Sequence, residues 1–387
     1  MHVIKDAVHG DIKLSEFERV LIDTPEVQRL RGLKQLAMAY LVYPGANHSR
    51  FEHSLGTMKL ASEMAASLGL GEDETKKLRA VALLHDVGHA AFSHESERIV
   101  REFTGKTHEQ LGIEKIKKSG IRDLLQDAGF PAREIEKLFL GEGLGAIVSS
   151  DLGADRMDYL LRDSHYTGVA YGVIDSDRLI QTTRVLNGKL VVEEGGLEAA
   201  ESLLIARFLM FSAVYFHHTV RIASAMLQRA IRLGLADGTV DCGDMLVMDD
   251  AELEMRLKES RWARELVERI ENRKLLKRAY EIEMSKLGKG VQRKLGEKKY
   301  VEKIEREIGE KARAEFHVIV DVPYAYGTRS DVLIMRGGKA LALDKVSDIV
   351  SSLEGAEARR KKIIVACAGE ERKNVAAACG KIFGAMD

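Results

Sequence analysis

The sequence has few cysteines and no long apolar run. Only three cysteines occur in 387 residues, without a CxxC pair and apart from the histidine-rich segments: Cys242, Cys367 and Cys379. This usage is typical of packing residues in a reducing compartment rather than of a disulfide framework. No run of 18 apolar residues and no N-terminal apolar signal region is present, which disfavours a membrane span or secretion. We therefore expect a cytoplasmic protein with no membrane partner.

An excess of basic charge is also missing. The formal net charge is −1, with 45% hydrophobic and 31% charged residues and no low-complexity tract, as in a globular protein. Without a global basic field, nucleic-acid binding is not indicated, and any phosphate-binding site has to be local. A Walker-type glycine-rich loop, a Rossmann fingerprint and a serine elbow are absent as well, so no such motif competes with the histidine-rich site described below.

Helical patterns dominate what is present. Eleven of the twelve histidines precede residue 219, so we expect the chemistry in the first part of the chain. We predict a helical core in residues 1–235, and charged helices with a small α+β lobe in residues 236–387. The expected fold class is therefore mainly α: a multi-helix core with short β-hairpins plus a small α+β C-terminal lobe, whose task is structural or regulatory.

Local signals place several elements. Ser15 and Glu18 predict a capping box at a helix start, and Asn187-Gly188 predicts a two-residue hairpin turn. The remaining expectations are a strand at Val3–Lys5, a helix from Pro25 with an inward face reaching Ala37, one long helix from Leu197 to Leu233, and charged helices over residues 250–313.

The segment Leu83–Glu95 contains three histidines and two carboxylates in thirteen residues. If it is the C-terminal half of a helix, His85 and Asp86 lie about 100° apart and reach one point, and His89 lies on the same face one turn later. Imidazole and carboxylate donors suit a divalent metal ion. An adjacent His-Asp pair is more often a hydrogen-bonded pair at a helix end, so further ligands must come from elsewhere.

Other segments supply such ligands. His53 follows a loop-to-helix junction, and residues 151–163 carry several aspartates near one helical face. Two imidazoles and two carboxylates leave coordination positions open for water, as in a catalytic site, where the metal lowers the pKa of bound water. Fe, Mn, Mg and Zn all suit this donor set. The surrounding candidates are His89, His94 and His108 for acid–base or phosphate contacts, Arg50 and Arg156 for phosphate, and Tyr159, Asp163 and Gln35 for sugar hydroxyls.

These residues carry a resemblance to a known family. His53, His85-Asp86 and Asp155 are similar to the H…HD…D pattern of the HD-domain phosphohydrolases. Longer strings, spread in order over residues 2–225, resemble the deoxynucleoside triphosphate triphosphohydrolase (dNTPase) branch, without the SAM domain of its animal members. The strings are Ile22–Pro25, Gln28–Arg31, Lys34–Leu36, Arg50–Gly56, His85–His94, Asp155–Tyr159 and Arg162-Asp163.

The resemblance implies cleavage of a dNTP to a deoxynucleoside and triphosphate. It implies the metal ligands His53, His85, Asp86 and Asp155. It implies that His89, His94 and His108 surround the phosphates, that Arg50 and Arg156 bind them, and that Gln35, Tyr159, Asp163 and Tyr215 contact the sugar. Asp23, Gln28 and Arg31 match positions that bind an activating guanine nucleotide at a subunit interface in regulated members, and a homo-oligomer, dimer or tetramer, is expected.

Two departures from the family pattern and two other hypotheses remain. Ala90-Ala91 replaces Gly-Pro before Phe-Ser-His, which affects the turn that places His94, and Arg156 replaces a lysine of the animal type. The alternative function is an HD-type phosphatase or phosphodiesterase acting on GTP, a nucleoside monophosphate or a signalling nucleotide. A nucleotide- or nucleic-acid-binding module with a vestigial site is the third hypothesis, and the intact ligand set disfavours it.

Overall fold

The computed structural model describes residues 2–314, 316–323 and 330–384. The predicted fold class is confirmed, because helices predominate and the sheets are small. At the N-terminus, β1 (His2–Asp6) pairs antiparallel with β2 (Gly10–Leu14), a strand that the sequence did not reveal. Helix α1 (Glu16–Ile22) begins at the predicted capping box, in which Ser15 and Glu18 bond reciprocally.

The predicted helix from Pro25 to Ala37 is wrong. Helix α2 (Pro25–Gln28) is followed by two 3-10 segments, Arg29–Gly32 and Ala37–Leu41. Between them Leu33 is extended and Lys34 forms a β-bridge with Ser49, before a turn at Gln35 and Leu36. The backbone N–H of Lys34 donates to the Asp250 side chain at 2.9 Å, and the Leu33 carbonyl accepts from the Arg50 backbone N–H at 2.8 Å. Tertiary hydrogen bonds therefore override the local helical pattern.

Three helices form the centre of the core: α3 (Arg50–Ser67), α4 (Glu72–Leu84) and α9 (Ala154–Thr167). Their facing side chains are fully buried, among them Met58, Leu83 and Leu160. Four helices between α4 and α9 cover one side: α5 (His94–Thr104), α6 (His108–Lys118), α7 (Ile121–Asp127) and α8 (Ala132–Phe139). The start of α3, the end of α4 and the first turn of α9 converge on the candidate site.

A hairpin and two helices follow. After α10 (Ser176–Thr182), β3 (Thr183–Leu186) pairs with β4 (Lys189–Glu193). Their turn residues Asn187 and Gly188 have φ of 51° and 74°, which confirms the predicted hairpin.

The predicted single helix from Leu197 to Leu233 is wrong. Instead, α11 (Leu197–Met210), a π-helical turn (Phe211–Tyr215) and α12 (His218–Ala236) meet at a 65° bend. The Tyr43 hydroxyl donates to the Ala213 carbonyl at 2.5 Å, and such an inserted side chain disrupts a helical ladder.

The remaining helices are α13 (Cys242–Val247), α14 (Asp250–Leu257), α15 (Arg264–Glu271), α16 (Lys289–Lys294), α17 (Lys298–Ala312), α18 (Asp348–Arg360) and α19 (Arg372–Phe383). The strands are β5 (Lys277–Glu283), β6 (Ile319–Asp321), β7 (Leu333–Arg336), β8 (Lys339–Ala342) and β9 (Lys362–Cys367). The prediction of helices alone over residues 250–313 missed β5, a partly exposed strand that pairs with the buried strand β9.

Two sheets organise this region. Strands β5, β9 and β6 form an antiparallel sheet, and β3, β4, β7 and β8 form another, in which β4 and β7 run parallel. The division between residues 1–235 and 236–387 stays a prediction, and this second sheet joins strands from both sides of it. No single helix in the described ranges is long and apolar enough to cross a membrane, although the bent pair of Glu194–Tyr215 and His218–Ala236 passes by length and composition.

Candidate active site

The His-Asp pair lies at the point where α4 ends. His85 directly follows the last residue of α4, and the chain then turns, with the His89 backbone donating to the Asp86 carbonyl at 3.1 Å. The prediction that His89 continues the same helical face is therefore wrong. The turn packs against α6: a Cβ added at Gly88 would lie 2.0 Å from the His108 carbonyl oxygen. Glycine permits this approach, which brings His108 beside His89.

Donor atoms from three segments converge here. His53 Nε2, on the first turns of α3, lies 3.2 Å from His85 Nε2, and His85 Nε2 lies 3.4 Å from Asp86 Oδ1. These three residues offer ligand atoms that all lie within 4.8 Å of one another. Asp155 Oδ1, at the start of α9, lies 3.1 Å from His53 Nε2 and 4.0 Å from His85 Nε2. His53, His85 and Asp86 therefore form a group that could hold a metal ion, and Asp155 lies next to its two histidines.

The two imidazoles suit a cation between them. His85 Nδ1 lies 2.7 Å from the Ala82 carbonyl oxygen, and His53 Nδ1 lies 2.7 Å from Asp158 Oδ2. Because both partners only accept, each Nδ1 carries a proton, so Nε2 is the nitrogen that each neutral ring could offer to a metal ion. Two Nε2 atoms 3.2 Å apart could both bind one divalent ion. The donor set therefore fits a metal ion.

Electrostatics favour positive charge at the same point. Burial lowers the pKa of His53, but hydrogen bonds to Asp155 and Asp158 outweigh it and raise the pKa to about 10. Burial raises the pKa of Asp86, but the charges of Arg50, His85 and His89 hold it well below its usual range. The ring of His53 is thus placed where a cation, a proton or a metal ion, is stabilised by buried carboxylates.

A buried ion network supports His53 from behind. Asp158 has no exposed surface and accepts from His53, from His9 Nε2 at 2.6 Å, and from Arg162 Nε and Nη2 at 2.9 Å each. Arg162 Nη1 also donates to Asp6 at 2.8 Å. The β1–β2 hairpin supplies Asp6 and His9, which sequence reasoning missed. Partners of this kind fix the ring orientation of a metal-binding histidine.

Arg50 connects the candidate metal ligand Asp86 to the turn that follows it, through a hydrogen bond to Ser93. Its Nη1 donates to Asp86 Oδ2 at 2.7 Å, and its Nε donates to Ser93 Oγ at 2.5 Å. Its Nη2 is buried and has no hydrogen-bond partner among the described residues. Arg50, which was predicted to bind phosphate, therefore has one nitrogen, Nη2, without a protein acceptor in the described part of the chain.

The three remaining predicted site histidines, His89, His94 and His108, form a cluster beside Asp86. The rings of His89 and His108 stack with centroids 4.0 Å apart, and His94 meets His89 edge-on at 4.9 Å. Glu97 accepts from Nδ1 of His94 at 3.1 Å and from Nδ1 of His108 at 2.7 Å. Sequence reasoning missed Glu97, although its position three residues after His94 on a helix was a usable signal.

The pKa values of two stacked histidines move in opposite directions. Burial, with the charges of Arg50 and His108, holds the pKa of His89 well below its usual value. Burial also lowers the pKa of His108, but its hydrogen bond to Glu97 and the charge of Glu109 outweigh this and raise it. These environments favour the neutral form of His89 and the protonated form of His108, and pKa values pushed apart in this way are typical of acid–base pairs.

A second set of polar side chains is linked by hydrogen bonds. They come from α9, from the segment before α3 and from the π-helical turn. Asp163 accepts from His48 Nε2 at 2.8 Å and from the Tyr215 hydroxyl at 2.6 Å. The Gln35 backbone donates to the His48 carbonyl at 3.0 Å, and Gln35 Oε1 is buried without a partner among the described residues. The structure thus brings three predicted sugar-contacting residues together and adds His48, which was missed.

The remaining predicted substrate residues lie on α9. Arg156 Nη1 forms an ion pair with Asp151 at 2.6 Å. Burial raises the pKa of Tyr159, while the charge of Arg156 opposes the shift. Both side chains are partly buried.

The predicted regulatory residues lie on the surface of the α1–α2 region. Gln28 donates to the Ile22 carbonyl at 2.9 Å and accepts from Arg31 Nε at 2.9 Å. The Arg31 guanidinium lies 3.6 Å from the centroid of the Phe51 ring, and exposed Asp23 accepts from Arg19 at 3.1 Å.

Fold and donor set together define a mainly helical protein with a candidate divalent metal centre. The HD domain model matches residues 50–162, and the HD associated region matches residues 174–386. The chain therefore belongs to the HD-domain phosphohydrolase superfamily.

Three similar proteins illustrate this membership. An uncharacterized protein of Methanocaldococcus jannaschii is 38% identical over 97% of this chain and 81% of its own length. The deoxynucleoside triphosphate triphosphohydrolase SAMHD1 homolog of Dictyostelium discoideum is 28% identical over 73% of this chain and 61% of its own length. The crystal structure of a phosphohydrolase from Bacteroides thetaiotaomicron is 25% identical, with a TM-score of 0.73 over 95% of this chain and 99% of that one.

Proposed function

We propose that this HD-domain phosphohydrolase cleaves a deoxynucleoside triphosphate to a deoxynucleoside and inorganic triphosphate. The observation that carries the proposal is the group of candidate metal ligands His53, His85 and Asp86, with Asp155 next to the two histidines and Arg50 beside Asp86. A metal bound there would activate water and polarise a phosphoryl oxygen. The triphosphohydrolase name of a relative that covers 73% of this chain supports the substrate class.

In this proposal the other side chains of the site bind phosphate, donate a proton or contact the sugar. Arg50 Nη2 and Arg156 bind phosphate oxygens, since guanidinium groups suit such contacts. His108, whose pKa is raised by Glu97, donates a proton to the leaving oxygen. His94 binds the same Glu97 carboxylate, and neutral His89 contacts phosphate. Gln35, Tyr159, Asp163 and Tyr215 contact the deoxyribose.

The phosphate product tests this proposal. Metal-loaded protein is incubated with each dNTP and NTP, with and without GTP, and the released phosphate species is identified by ³¹P NMR. Tripolyphosphate is the expected product. Orthophosphate or pyrophosphate would support the alternative HD-type phosphatase or phosphodiesterase instead. Tight nucleotide binding without any turnover would support the vestigial binding module.

We also propose that the enzyme acts in the cytoplasm as a homo-oligomer whose interface includes a guanine-nucleotide site at Asp23, Gln28 and Arg31. Arg31→Ala is expected to raise the GTP concentration for half-maximal stimulation by about 10- to 100-fold, because a charged hydrogen-bond partner of the nucleotide is lost. Rates measured across a GTP titration check this, with Arg122→Ala, an exposed arginine on α7 that pairs with Asp123, as the control. Identical GTP curves for Arg31→Ala and the wild type would dismiss the regulatory site.

A further inference from the structure

The turn that presents the histidine cluster has an unfavourable backbone conformation. We define the histidine turn as residues His89–His94. Within it, Phe92 and Ser93 have φ of 59° and 46°, values that residues with a side chain rarely adopt. His94 follows directly as the first residue of α5. Such a conformation persists only where the surrounding structure holds it in place.

A carboxylate from the C-terminal half of the chain holds this conformation. Asp250 is the first residue of α14 and is buried. Its Oδ1 accepts from the backbone N–H of Phe92 at 2.6 Å, and its Oδ2 accepts from the backbone N–H of Lys34 at 2.9 Å. One side chain therefore fixes the strained residue to the extended segment before α3.

A guanidinium holds the other end of the same turn. Arg29 Nη1 donates to the His89 carbonyl at 2.9 Å. Its Nε and Nη2 donate to the carbonyls of Val247 and Met248 at 2.9 Å and 2.7 Å. The backbone N–H of Ala91 donates to the Met245 carbonyl at 2.9 Å. The carbonyls of Met245, Val247 and Met248 and the side chain of Asp250 thus hold the histidine turn, directly or through Arg29.

We propose that Asp250 and Arg29 are positioning residues for the histidines of the hydrolytic site. They act through the backbone of the histidine turn, so they set where His89 and His94 stand relative to Asp86. This inference rests on the proposed function, and it gives the HD-associated region a part in catalysis. Arg29 also lies between Gln28 and Arg31, so the segment with the candidate regulatory residues touches the histidine turn directly.

The test compares two adjacent aspartates on the same helix start. Asp250→Asn keeps size but presents an amide N–H₂ group to a backbone N–H. Asp249→Asn, the control, keeps an effective helix cap next door. Hydrogen–deuterium exchange of peptides covering residues 88–95, kcat, KM and metal content per chain are measured for the metal-loaded proteins. Arg29→Lys keeps the charge but cannot reach both sets of carbonyls.

Asp250→Asn and Arg29→Lys are expected to speed exchange in residues 88–95 and to lower kcat about 10- to 100-fold, with KM within about twofold and metal content unchanged. Asp249→Asn is expected to match the wild type. Unchanged exchange, a parallel loss of metal, or an equal effect of Asp249→Asn would overturn the inference. A wild-type protein without turnover overturns the proposed function, whereas the exchange data decide the anchoring of the turn by themselves.

Discussion

Asp86→Ala is expected to abolish metal occupancy and to lower nucleotide hydrolysis by on the order of 10³-fold or more, because activated water depends on the bound metal. Asp86 is buried and lies 3.4 Å from His85 Nε2, and its removal leaves Asp155 as the candidate carboxylate ligand beside the two histidines. Metal per chain is measured by mass spectrometry, and turnover is measured on the same samples.

Controls separate metal loss from misfolding. Asp86 also accepts from Arg50, so its removal leaves a buried guanidinium without that partner. Asp86→Asn keeps the shape and one acceptor oxygen, and it is expected to fold while binding metal weakly. Asp73→Ala, on the exposed first turn of α4, the helix that precedes Asp86, is expected to keep metal and activity. Unchanged turnover in Asp86→Ala would remove Asp86 from the site.

Arg162→Met is expected to lower the free energy of unfolding by about 3–5 kcal/mol, because it leaves buried carboxylates without their cation. Arg162 has no exposed surface and bonds both oxygens of Asp158 and also Asp6. Urea unfolding followed by circular dichroism measures the change. Since Asp158 orients His53, metal affinity should fall as well.

The matched control is a surface arginine. Arg122 pairs with Asp123, and more than half of each side chain is exposed. Arg122→Met is expected to change the free energy of unfolding by less than about 1 kcal/mol, as exposed ion pairs do. A similarly small change for Arg162→Met would show that the Asp6–Asp158–Arg162 network does not stabilise the core.

Features encoded by neighbouring residues were predictable from the sequence. The Ser15–Glu18 capping box and the Asn187-Gly188 turn follow from residues three positions apart and adjacent, respectively, and the structure has both. The mainly helical class follows from periodicity alone. The candidate metal ligands were predictable for two reasons. His85 and Asp86 are adjacent in a short histidine-rich segment, and the more distant candidates lie in sequence strings that resemble the family.

Features created by distant contacts were not predictable in this way. The helix from Pro25 stops because Asp250 and Arg50 draw the following residues into an extended path, and the helix from Leu197 bends where Tyr43 reaches Ala213. His48, which bonds Asp163, and Asp250, which bonds Phe92, carry no local signal, since each contact joins residues more than 100 positions apart.

The metal centre itself is tested most directly by anomalous diffraction from crystals of Mn²⁺-loaded protein. One strong peak is predicted about 2.0–2.2 Å from His53 Nε2, His85 Nε2 and the carboxylates of Asp86 and Asp155. A peak bound elsewhere, or none at these four side chains while the protein hydrolyses nucleotide, would contradict the assignment.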